Sequence, residues 1–379
     1  MQLRSRTLTS LAGVDAARWN ALDGDESPFL DHAFLSLLEE TGCVGGATGW
    51  HPAHLVLEDS IGVRAAAPAY LKDHSWGEFV FDFGWAQAYA RHGLRYYPKL
   101  LCAVPFTPAT GARLLCGSPG NPDLAAALVT ALQARVADQG LSSAHALFLD
   151  ERDRAAFADA GWMLRRDCQF HWRNRGYTDY EHYLAGFTAE KRKKTRRERR
   201  RCAENGISFL TLHGDELDVA QLDLVHDLHR RTFVDRGHEP YLTRAFFRAI
   251  APRLGRRMMV KLAVLAGQPV AAAVFFRSRS ALYGRYWGAL ADFHSLHFET
   301  CYHQGIEYCI EHGIERFEPG TQGEHKVARG FEPSLTWSAH YVADERFREA
   351  LQDFLAREAP AVDAYAEEID AHTPFRHGT

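Results

Sequence analysis

The same order of predicted elements occurs twice along the chain, and this duplication limits the fold more than any other feature of the sequence. Residues 54–85 and residues 261–290 each give an apolar strand, a turn, a second strand and an aromatic-rich third strand. Each half continues through a helical stretch that ends in His-Gly, at His92–Gly93 and at His312–Gly313, and then through a strand that leads into a Pro-containing loop. The pattern predicts an α/β fold of the α+β type, with two similar units that each place helices on a mixed, mainly antiparallel sheet.

The length of the chain agrees with two domains. Its 379 residues exceed what one ordinary hydrophobic core serves, and 46% of them are apolar. The segment "CQFHWRNRG" (168–176) has the pattern of a strand that leaves the first unit. We therefore predict an N-terminal domain at 1–170 and a C-terminal domain at 171–379.

The cysteines and the N-terminus indicate the compartment. The seven cysteines include no C-x-x-C pair, which is not typical of a disulfide framework or of a structural zinc site. The N-terminus lacks the apolar segment of a signal peptide, and no stretch approaches about 18 continuous apolar residues. These features predict a cytoplasmic protein without stable membrane insertion, and they leave its oligomeric state open.

A strongly basic run lies in the middle of a chain whose formal net charge is −4. Nine of the eleven residues from 191 to 201 are Lys or Arg. Thr188 is a suitable N-cap and Asn205–Gly206 a strong stop, so we predict a basic helix at 189–204. Three residues at positions i, i+3 and i+7 share one face of this helix, which we expect to pack inward: Thr195, Glu198 and Cys202.

The remaining side chains of the run should point outward. Arg has a planar donor fork that matches phosphate, so we predict phosphate binding by the outward groups of this helix, particularly Arg192, Arg196, Arg197 and Arg199. Three kinds of polyanion fit such a surface: a nucleic acid, an anionic membrane surface or a small diphosphate-bearing ligand. The position of the run between folded elements favours a ligand or an RNA end, and a plain solvated helix is the alternative.

A second polar segment, "RFEPGTQGEHKVARGFEP" (316–333), follows a predicted strand. The strand delivers Glu318 onto a Gly-rich loop, where a backbone can approach a ligand closely. Glu318, Glu324 and His325 are candidate acid/base groups, and Lys326 and Arg329 are candidate anion binders. The alternative is a surface turn with incidental charges.

The strand "LYGRYWG" (282–288) precedes that loop in the chain. Strand alternation predicts that Tyr283, Arg285 and Trp287 share one face, and we take them as candidate substrate contacts. A half-buried structural strand is the alternative.

Other chemical motifs are weak or absent. In "HSLHFE", His294 and His297 share a helix face but Glu299 does not, so a third ligand is missing and we predict no metal site. The chain has neither G-x-x-x-x-G-K-[ST] nor G-x-G-x-x-G, which argues against nucleotide binding by a P-loop or a Rossmann motif. It also lacks G-x-S-x-G, the motif of the nucleophilic serine in many hydrolases, so this motif does not indicate a serine hydrolase.

Four segments that span both halves carry a likeness to a known family: "YYPKLLCAVPFTPATGARLL", "RRERRRCAENGI", "LYGRYWG" and "HSLHFETCYHQGIEYCIEHGIERFEPGTQGEHKVARGF". With the duplicated halves, they resemble the FemAB-like branch of the GNAT N-acyltransferase superfamily. The closer resemblance is to the bacterial proteins called predicted N-acyltransferases, or peptidoglycan biosynthesis/recognition proteins. It implies two GNAT-like domains in one chain and transfer of an acyl group to an amine.

The resemblance also implies substrates. FemAB relatives take the acyl group from aminoacyl-tRNA and pass it to a peptidoglycan precursor that carries a diphosphate, whereas typical GNAT enzymes use acyl-CoA. Their helix pattern R-x-A-x-x-x-G-[IV] is matched here by Arg200 to Ile207, with Cys202 in place of Ala. Their basic-Gly-Phe element is matched by Arg329–Gly330–Phe331.

One GNAT motif is missing from this chain. The pyrophosphate loop [QR]-x-x-G-x-[GA] would fit after Arg173 or Arg285, but Thr178 and Leu290 occupy its last position. The acyl donor is therefore left open between acyl-CoA and aminoacyl-tRNA, used as a co-substrate, and we predict no tightly bound cofactor.

Together these features predict an N-acyltransferase that works through a ternary complex, without a covalent enzyme intermediate. The attacking amine must lose a proton, and Glu318 is the first candidate for the base, with His325 the second. The expected partners are a phosphate-bearing small molecule or tRNA. The alternative function is a non-catalytic protein that binds a phosphate-bearing ligand, either a peptidoglycan precursor or RNA, on the same scaffold.

Overall fold

The chain forms two compact units in a computed structural model that describes residues 3–235, 237–291, 293–321 and 323–376. Unit 1 contains Met1–Asp167 and Leu335–Asp363, and unit 2 contains Cys168–Ser334 and Ala364–Thr379. The chain passes from unit 1 to unit 2 after Asp167, close to the domain boundary predicted at residue 170. Residues 335–363 group with unit 1 rather than with the C-terminal domain, because residues 338–342 pair with a strand at 143–147.

The chain up to residue 173 alternates short strands with helices. Its strands are β1 (Arg4–Leu8), β2 (Trp50–Pro52), β3 (His54–Asp59), β4 (Gly62–Ala67), β5 (Ala69–Lys72), β6 (Lys99–Cys102), β7 (Ser143–Leu147) and β8 (Met163–Arg173). Its helices are α1 (Ala16–Asn20), α2 (His32–Glu40), α3 (Phe83–Arg91), α4 (Pro122–Asp138) and α5 (Glu151–Asp159), with a 3₁₀ turn at Gly46–Thr48.

The later part of the chain adds longer strands. They are β9 (Ile207–His213), β10 (Met258–Leu265), β11 (Gln268–Arg277), β12 (Ala281–Ala289), β13 (Arg316–Glu318) and β14 (Glu332–Val342). The helices are α6 (Tyr180–Ala185), α7 (Ala189–Glu204), α8 (Val219–Val234), α9 (Arg244–Leu254), α10 (Leu296–Phe298), α11 (Gln304–Glu311) and α12 (Glu345–Asp370). A π-helical turn at Glu299–His303 joins α10 to α11, and 3₁₀ turns cover Gly255–Arg257 and Glu324–Arg329.

Unit 1 contains two sheets. In one, the strand order is β2-β5-β6-β7-β14, and β6 and β7 are parallel while the other neighbours are antiparallel. The other is an antiparallel sheet of β1, β3 and β4. Helix α4 covers the strands with Leu128, Leu132 and Val136, all buried, because these residues recur at helical spacing.

Unit 2 is built on the strand order β9-β10-β11-β12-β13-β8. Here β12 and β13 are parallel, and the other neighbours are antiparallel. Its core is rich in aromatic side chains, among them Trp172, Tyr183, Phe187, Phe317 and Phe331. The α/β fold class with mixed, mainly antiparallel sheets is therefore confirmed.

The two units share one strand topology, but the sequence-based alignment of their third strands was wrong. Strand β6 is antiparallel to β5 and parallel to β7, just as β12 is antiparallel to β11 and parallel to β13. The counterpart of β12 is therefore β6, and the aromatic segment 76–85 forms a loop and the start of α3 instead of a strand. Helix α3 and its loop are an addition to unit 1, and the counterpart of α11 is α4.

The helix ends follow the predicted signals. Helices α3 and α11 are capped by His92 and His312, and Gly93 and Gly313 follow with φ of 70° and 64°. Glycine adopts this left-handed conformation without a Cβ clash, which is why it ends helices. Within the described ranges, no helix is long and apolar enough to cross a membrane.

Candidate functional site

The parallel strands of unit 2 separate at Tyr283 and Glu318, which form the last pair between β12 and β13. Just beyond this point, the pairing of β12 with β11 shifts between Val274 and Phe275, so that Arg285 is the extra residue of a β-bulge. Bulges often re-aim a side chain at a functional site. Open sheets also tend to bind ligands beyond the carboxyl ends of parallel strands. Both features meet at the end of the β12–β13 pair.

Glu318 lies at this strand end and is 3% exposed. Its Oε1 accepts a hydrogen bond of 2.8 Å from Nε of Arg316, and its Oε2 lies 3.9 Å from Nε2 of His171. Burial lowers the pKa of His171 to about 4, so the imidazole is neutral at pH 7. A neutral imidazole beside a carboxylate is a suitable proton partner for it.

Two cations, the buried Lys326 and the half-buried Arg285, lie near the same strand end. Lys326 is 1% exposed, and its Nζ donates a 2.6 Å hydrogen bond to the carbonyl of Gly320. Burial, together with the nearby Arg285, lowers the pKa of Lys326 to about 7. Burial also lowers the pKa of Arg285, although nearby Tyr286 raises it. These groups would be stabilised by an anionic ligand, because an anion compensates the cost of burying a cation.

His325 is exposed on the 3₁₀ turn after β13. Its Nε2 lies 2.9 Å from Oη of Tyr302, and burial raises the pKa of the tyrosine hydroxyl. A Cβ on Gly323, where φ is 112°, would lie 2.1 Å from the His325 ring. Glycine therefore suits this position, because it adopts a positive φ readily and leaves room for the ring.

The basic run forms helix α7, as predicted. The hydroxyl of Thr188 caps its start, and Thr195 and Cys202 are buried at 3% and 0% exposure. Glu198 lies on the same face, with 14% of its side chain exposed. The predicted inward face is confirmed, and the opposite side of the helix carries Lys193, Arg197 and Arg200, since each residue rotates by about 100°.

The four arginines singled out on α7 have different surroundings. Arg197 is exposed, and Arg196 is exposed and pairs with Glu181. Arg192 is half-buried and donates to the carbonyl of Phe187 at 3.2 Å. Arg199 faces inward rather than outward, because it flanks the buried face of the helix.

Two carboxylates hold Arg199 in this inward position. Its guanidinium lies 3.1 Å from Glu299 and 2.7 Å from Glu307, and it stacks 4.2 Å from the ring centre of Tyr180. Although burial alone would lower it, the charge of Glu299 raises the pKa of Arg199. Its role in phosphate binding stays a prediction.

The acid inside the basic run links α7 to the loop after β13. Glu198 accepts a 2.7 Å hydrogen bond from Nη2 of Arg329 and lies 3.4 Å from Nε2 of His303. The other ring nitrogen of His303 lies 2.7 Å from Oη of Tyr180. Burial alone would raise the pKa of Glu198, but His303 and Arg329 lower it.

Arg329 contacts several residues inside unit 2. It is 6% exposed, its Nη1 donates to the carbonyl of His325 at 2.6 Å, and it stacks 3.5 Å from the ring centre of Phe298. Sequence reasoning placed Glu198 inward but missed this contact and the roles of His303 and Tyr180. The available sequence signal for these contacts was that Glu198 is the one acidic residue among the nine basic residues of the run.

The predicted common face of Tyr283, Arg285 and Trp287 does not exist. Leu282 and Trp287 pack in the same cluster, whereas strict alternation would place them on opposite faces. The bulge at Arg285 shifts the alternation by one residue, which is the physical reason.

His294, His297 and Glu299 each contact a different residue. His294 lies 3.1 Å from Arg201, and the His297 ring packs 5.3 Å from Trp287, while Glu299 faces Arg199. In residues 3–235, 237–291, 293–321 and 323–376, no group of three His, Cys, Asp or Glu side chains has metal-binding geometry.

Known structures share this fold over most of the chain. FemX is 10% identical, with 93% of this chain and 100% of FemX covered and a TM-score of 0.55. L-PGS from Bacillus licheniformis is also 10% identical, with 90% and 96% covered and a TM-score of 0.55. A conserved protein of unknown function from Bacteroides thetaiotaomicron is 12% identical, with 89% and 99% covered and a TM-score of 0.53.

The two compact units with mixed sheets agree with the two domains in one chain that the resemblance implied. The model of the FemAB-like family, described as peptidoglycan biosynthesis/recognition, matches residues 10–377. The chain belongs to this FemAB-like family. No curated protein matches the sequence.

Proposed function

We propose that this protein is an N-acyltransferase that transfers an acyl or aminoacyl group to an amine at the end of the β12–β13 pair. The observation that carries the proposal is that a buried carboxylate, Glu318, lies near a buried lysine, Lys326, and the half-buried Arg285 around one strand end. Membership of the FemAB-like family supports the same reaction class. The family description suggests a peptidoglycan precursor as the acceptor.

The reaction needs one proton transfer on each side of a tetrahedral intermediate. The acceptor nitrogen attacks the acyl carbonyl carbon, a C–N bond forms, and the C–O bond of an ester or the C–S bond of a thioester breaks. The amine gives one proton to the Glu318 carboxylate, and the protonated Glu318 passes that proton to the leaving oxygen or sulfur, directly or through water. Lys326 and Arg285 are suited to stabilise the oxyanion that develops meanwhile. His325 is the second candidate for the base.

The phosphates of the donor or acceptor are assigned to α7. Exposed basic side chains line its outer face, and Glu198 on its inner face is bonded to Arg329 of the loop after β13. Phosphate bound at α7 would therefore sit on a helix that is fixed to that loop. Both acyl-CoA and aminoacyl-tRNA carry such phosphates, so either donor fits the proposal as a co-substrate.

The test is a transfer assay with Glu318→Gln. The full chain is incubated with acyl-CoA or charged-tRNA pools and with diphosphate-bearing peptidoglycan precursors, and products are detected by mass spectrometry. Glu318→Gln should reduce kcat by about 10²–10⁴-fold with a nearly unchanged KM, because the shape is kept and proton acceptance is lost.

Glu324→Gln is the matched control on the same loop. This carboxylate is exposed and accepts a 2.9 Å hydrogen bond from Tyr365, so its loss should leave turnover near wild type. Full activity of Glu318→Gln would exclude Glu318 as the base. Ligand binding without turnover with every donor would instead favour a non-catalytic binding protein.

A further inference from the structure

Unit 1 contains a cavity of about 410 Å³ between helix α12 and the strands β8 and β14. This volume lies within the range of roughly 300–1,000 Å³ that small-molecule pockets occupy. Its lining combines the apolar side chains of Trp162, Met163, Trp337, Leu355 and Ala359 with the polar Arg166 and Gln352. Neither the sequence motifs nor the transfer site of unit 2 uses these residues.

Arg166 gives the cavity a positive charge. It is the charged residue among the described residues that line the cavity, and its guanidinium lies 5.7 Å from the ring centre of Trp337. Its Nη2 pairs with Asp363 at 2.6 Å. The Asp363 carboxylate is not part of the lining, so the acid that pairs with Arg166 lies outside the cavity.

Two nitrogen donors of the lining have no protein acceptor. Within the described part of the chain, Nε1 of Trp162 and Nε of Arg166 are buried without a hydrogen-bond partner. Trp162 as a whole is 4% exposed. Buried donors in native proteins are nearly always paired, so two unpaired donors beside one cavity indicate a missing acceptor.

We propose that this cavity binds a small organic carboxylate with an apolar body. The indole and aliphatic lining would hold the apolar part, and the carboxylate would accept hydrogen bonds from Arg166 and Trp162. Both nitrogens are shielded from solvent as the side chains stand, so binding must shift the Trp162 and Arg166 side chains. The fluorescence of Trp162 therefore changes when the site fills.

Octanoate is the probe, and octanol is its neutral counterpart. Calorimetry and tryptophan fluorescence on the full chain should show saturable binding of octanoate and at least ten-fold weaker binding of octanol. Arg166→Gln should weaken octanoate binding at least ten-fold. Ala359→Leu, which fills the cavity, should weaken it as well while thermal melting stays cooperative.

Two further variants separate the cation from the ion pair. Asp363→Asn breaks the same pair with Arg166 but leaves the cation, so octanoate affinity should stay equal or rise. Arg154→Gln is the matched control, because Arg154 stacks 4.7 Å from the Trp337 ring centre but does not line the cavity. The proposal is wrong if octanoate fails to bind at millimolar concentration, if octanol binds equally well, or if Asp363→Asn weakens binding as much as Arg166→Gln.

Discussion

The parallel strand pairs of the two units share one topology but end differently. In unit 1, the chain after β6 returns to close the end of the β6–β7 pair. The guanidinium of Arg113 donates there to the carbonyls of Leu147, Ala109 and Ala112 at 2.7, 2.7 and 2.8 Å, and Arg113 is 2% exposed. In unit 2, the β12–β13 pair ends on a bulge and a Gly-rich loop instead.

Lys99 of unit 1 and Lys326 of unit 2, which are both buried, show the same contrast. Nζ of Lys99 in unit 1 donates to Glu78 at 2.8 Å and to Ser75 at 2.9 Å, and it also pairs with Asp82. Burial alone would lower the pKa of Lys99, but the two carboxylates raise it. In the described parts of the chain, no carboxylate pairs with Lys326 of unit 2 within 4.0 Å.

The difference teaches that a duplicated topology does not duplicate chemistry. In unit 1, two carboxylates compensate the buried charge of Lys99, which suits a structural role, because a paired and hydrogen-bonded charge is already compensated. At the strand end of unit 2, Lys326 has no carboxylate partner among the described residues. This contrast supports the proposal that transfer takes place in unit 2.

The largest expected effect separates these two lysines. Lys99→Met leaves the carboxylates of Glu78 and Asp82 buried without their cation and should cost about 3–5 kcal/mol of unfolding free energy. Lys326→Met removes a cation that has only a carbonyl acceptor, so unfolding free energy should change by less than about 1 kcal/mol or increase. Urea unfolding followed by circular dichroism measures both.

Equal destabilisation by the two variants would break the comparison. It would mean that Lys326 is as firmly paired in the fold as Lys99. Transfer activity is the second readout, and it should be retained in any folded Lys99→Met protein but reduced in Lys326→Met.

Local signals in the sequence were sufficient for much of the fold. The Pro at the start of α4, the Asn205–Gly206 stop of α7 and the His-Gly helix ends all act within a few residues, so they were predictable. The place of β6 in the duplication was not predictable in this way, because its pairing with β5 and with the distant β7 decides it. The sequence predicted a strand there, but it took the aromatic-rich segment at 76–85 as the third strand of unit 1.

The site was predictable only in part, for a similar reason. Glu318 and Lys326 follow a strand, which the sequence shows. The bulge at Arg285 depends on pairing with β11, and the Glu198–Arg329 bond joins residues far apart in the chain. Periodicity alone placed Arg199 outward, because the buried carboxylates that attract it belong to another element.

The second prediction uses pH to sharpen the contrast between the lysines. The pKa of Lys326 is about 7 in the fold but near 10.5 in the unfolded chain. Between these values the unfolded chain holds a proton that the folded chain lacks, so folding stability rises with pH in this window. The slope is at most about 1.4 kcal/mol per pH unit.

The measurement is the difference in unfolding free energy between wild type and Lys326→Met from pH 7.5 to 10. This difference should shift in favour of wild type as pH rises. For Lys99 the folded pKa is raised above the unfolded value, so its contribution is fully present throughout this range. The wild-type advantage over Lys99→Met should therefore stay constant, and a pH-independent Lys326 difference would contradict a lowered pKa.

The smallest expected effect concerns the outer face of α7, which has no counterpart run in the sequence of unit 1. Binding of tRNA should weaken as salt rises, because each neutralised phosphate releases counterions. Arg196→Gln combined with Arg197→Gln should weaken binding by about three- to ten-fold and reduce the slope of log affinity against log salt by roughly 1 to 2. Neither arginine lies on the buried face of α7, and the Arg196–Glu181 pair is exposed, so stability should fall by less than about 1 kcal/mol.

Arg91→Gln combined with Arg95→Gln is the control, since it removes two exposed charges from unit 1. Its salt slope should match wild type if α7 is the phosphate-binding surface, whereas an equal loss in both variants would mean that only net charge matters. The slope also distinguishes the ligands, because a diphosphate precursor engages about two phosphates and tRNA engages several. Salt-independent binding of both ligands would mean that α7 is an ordinary solvated helix. A large fall in the melting temperature of the Arg196/Arg197 variant would show that the buried face of α7 was wrongly assigned.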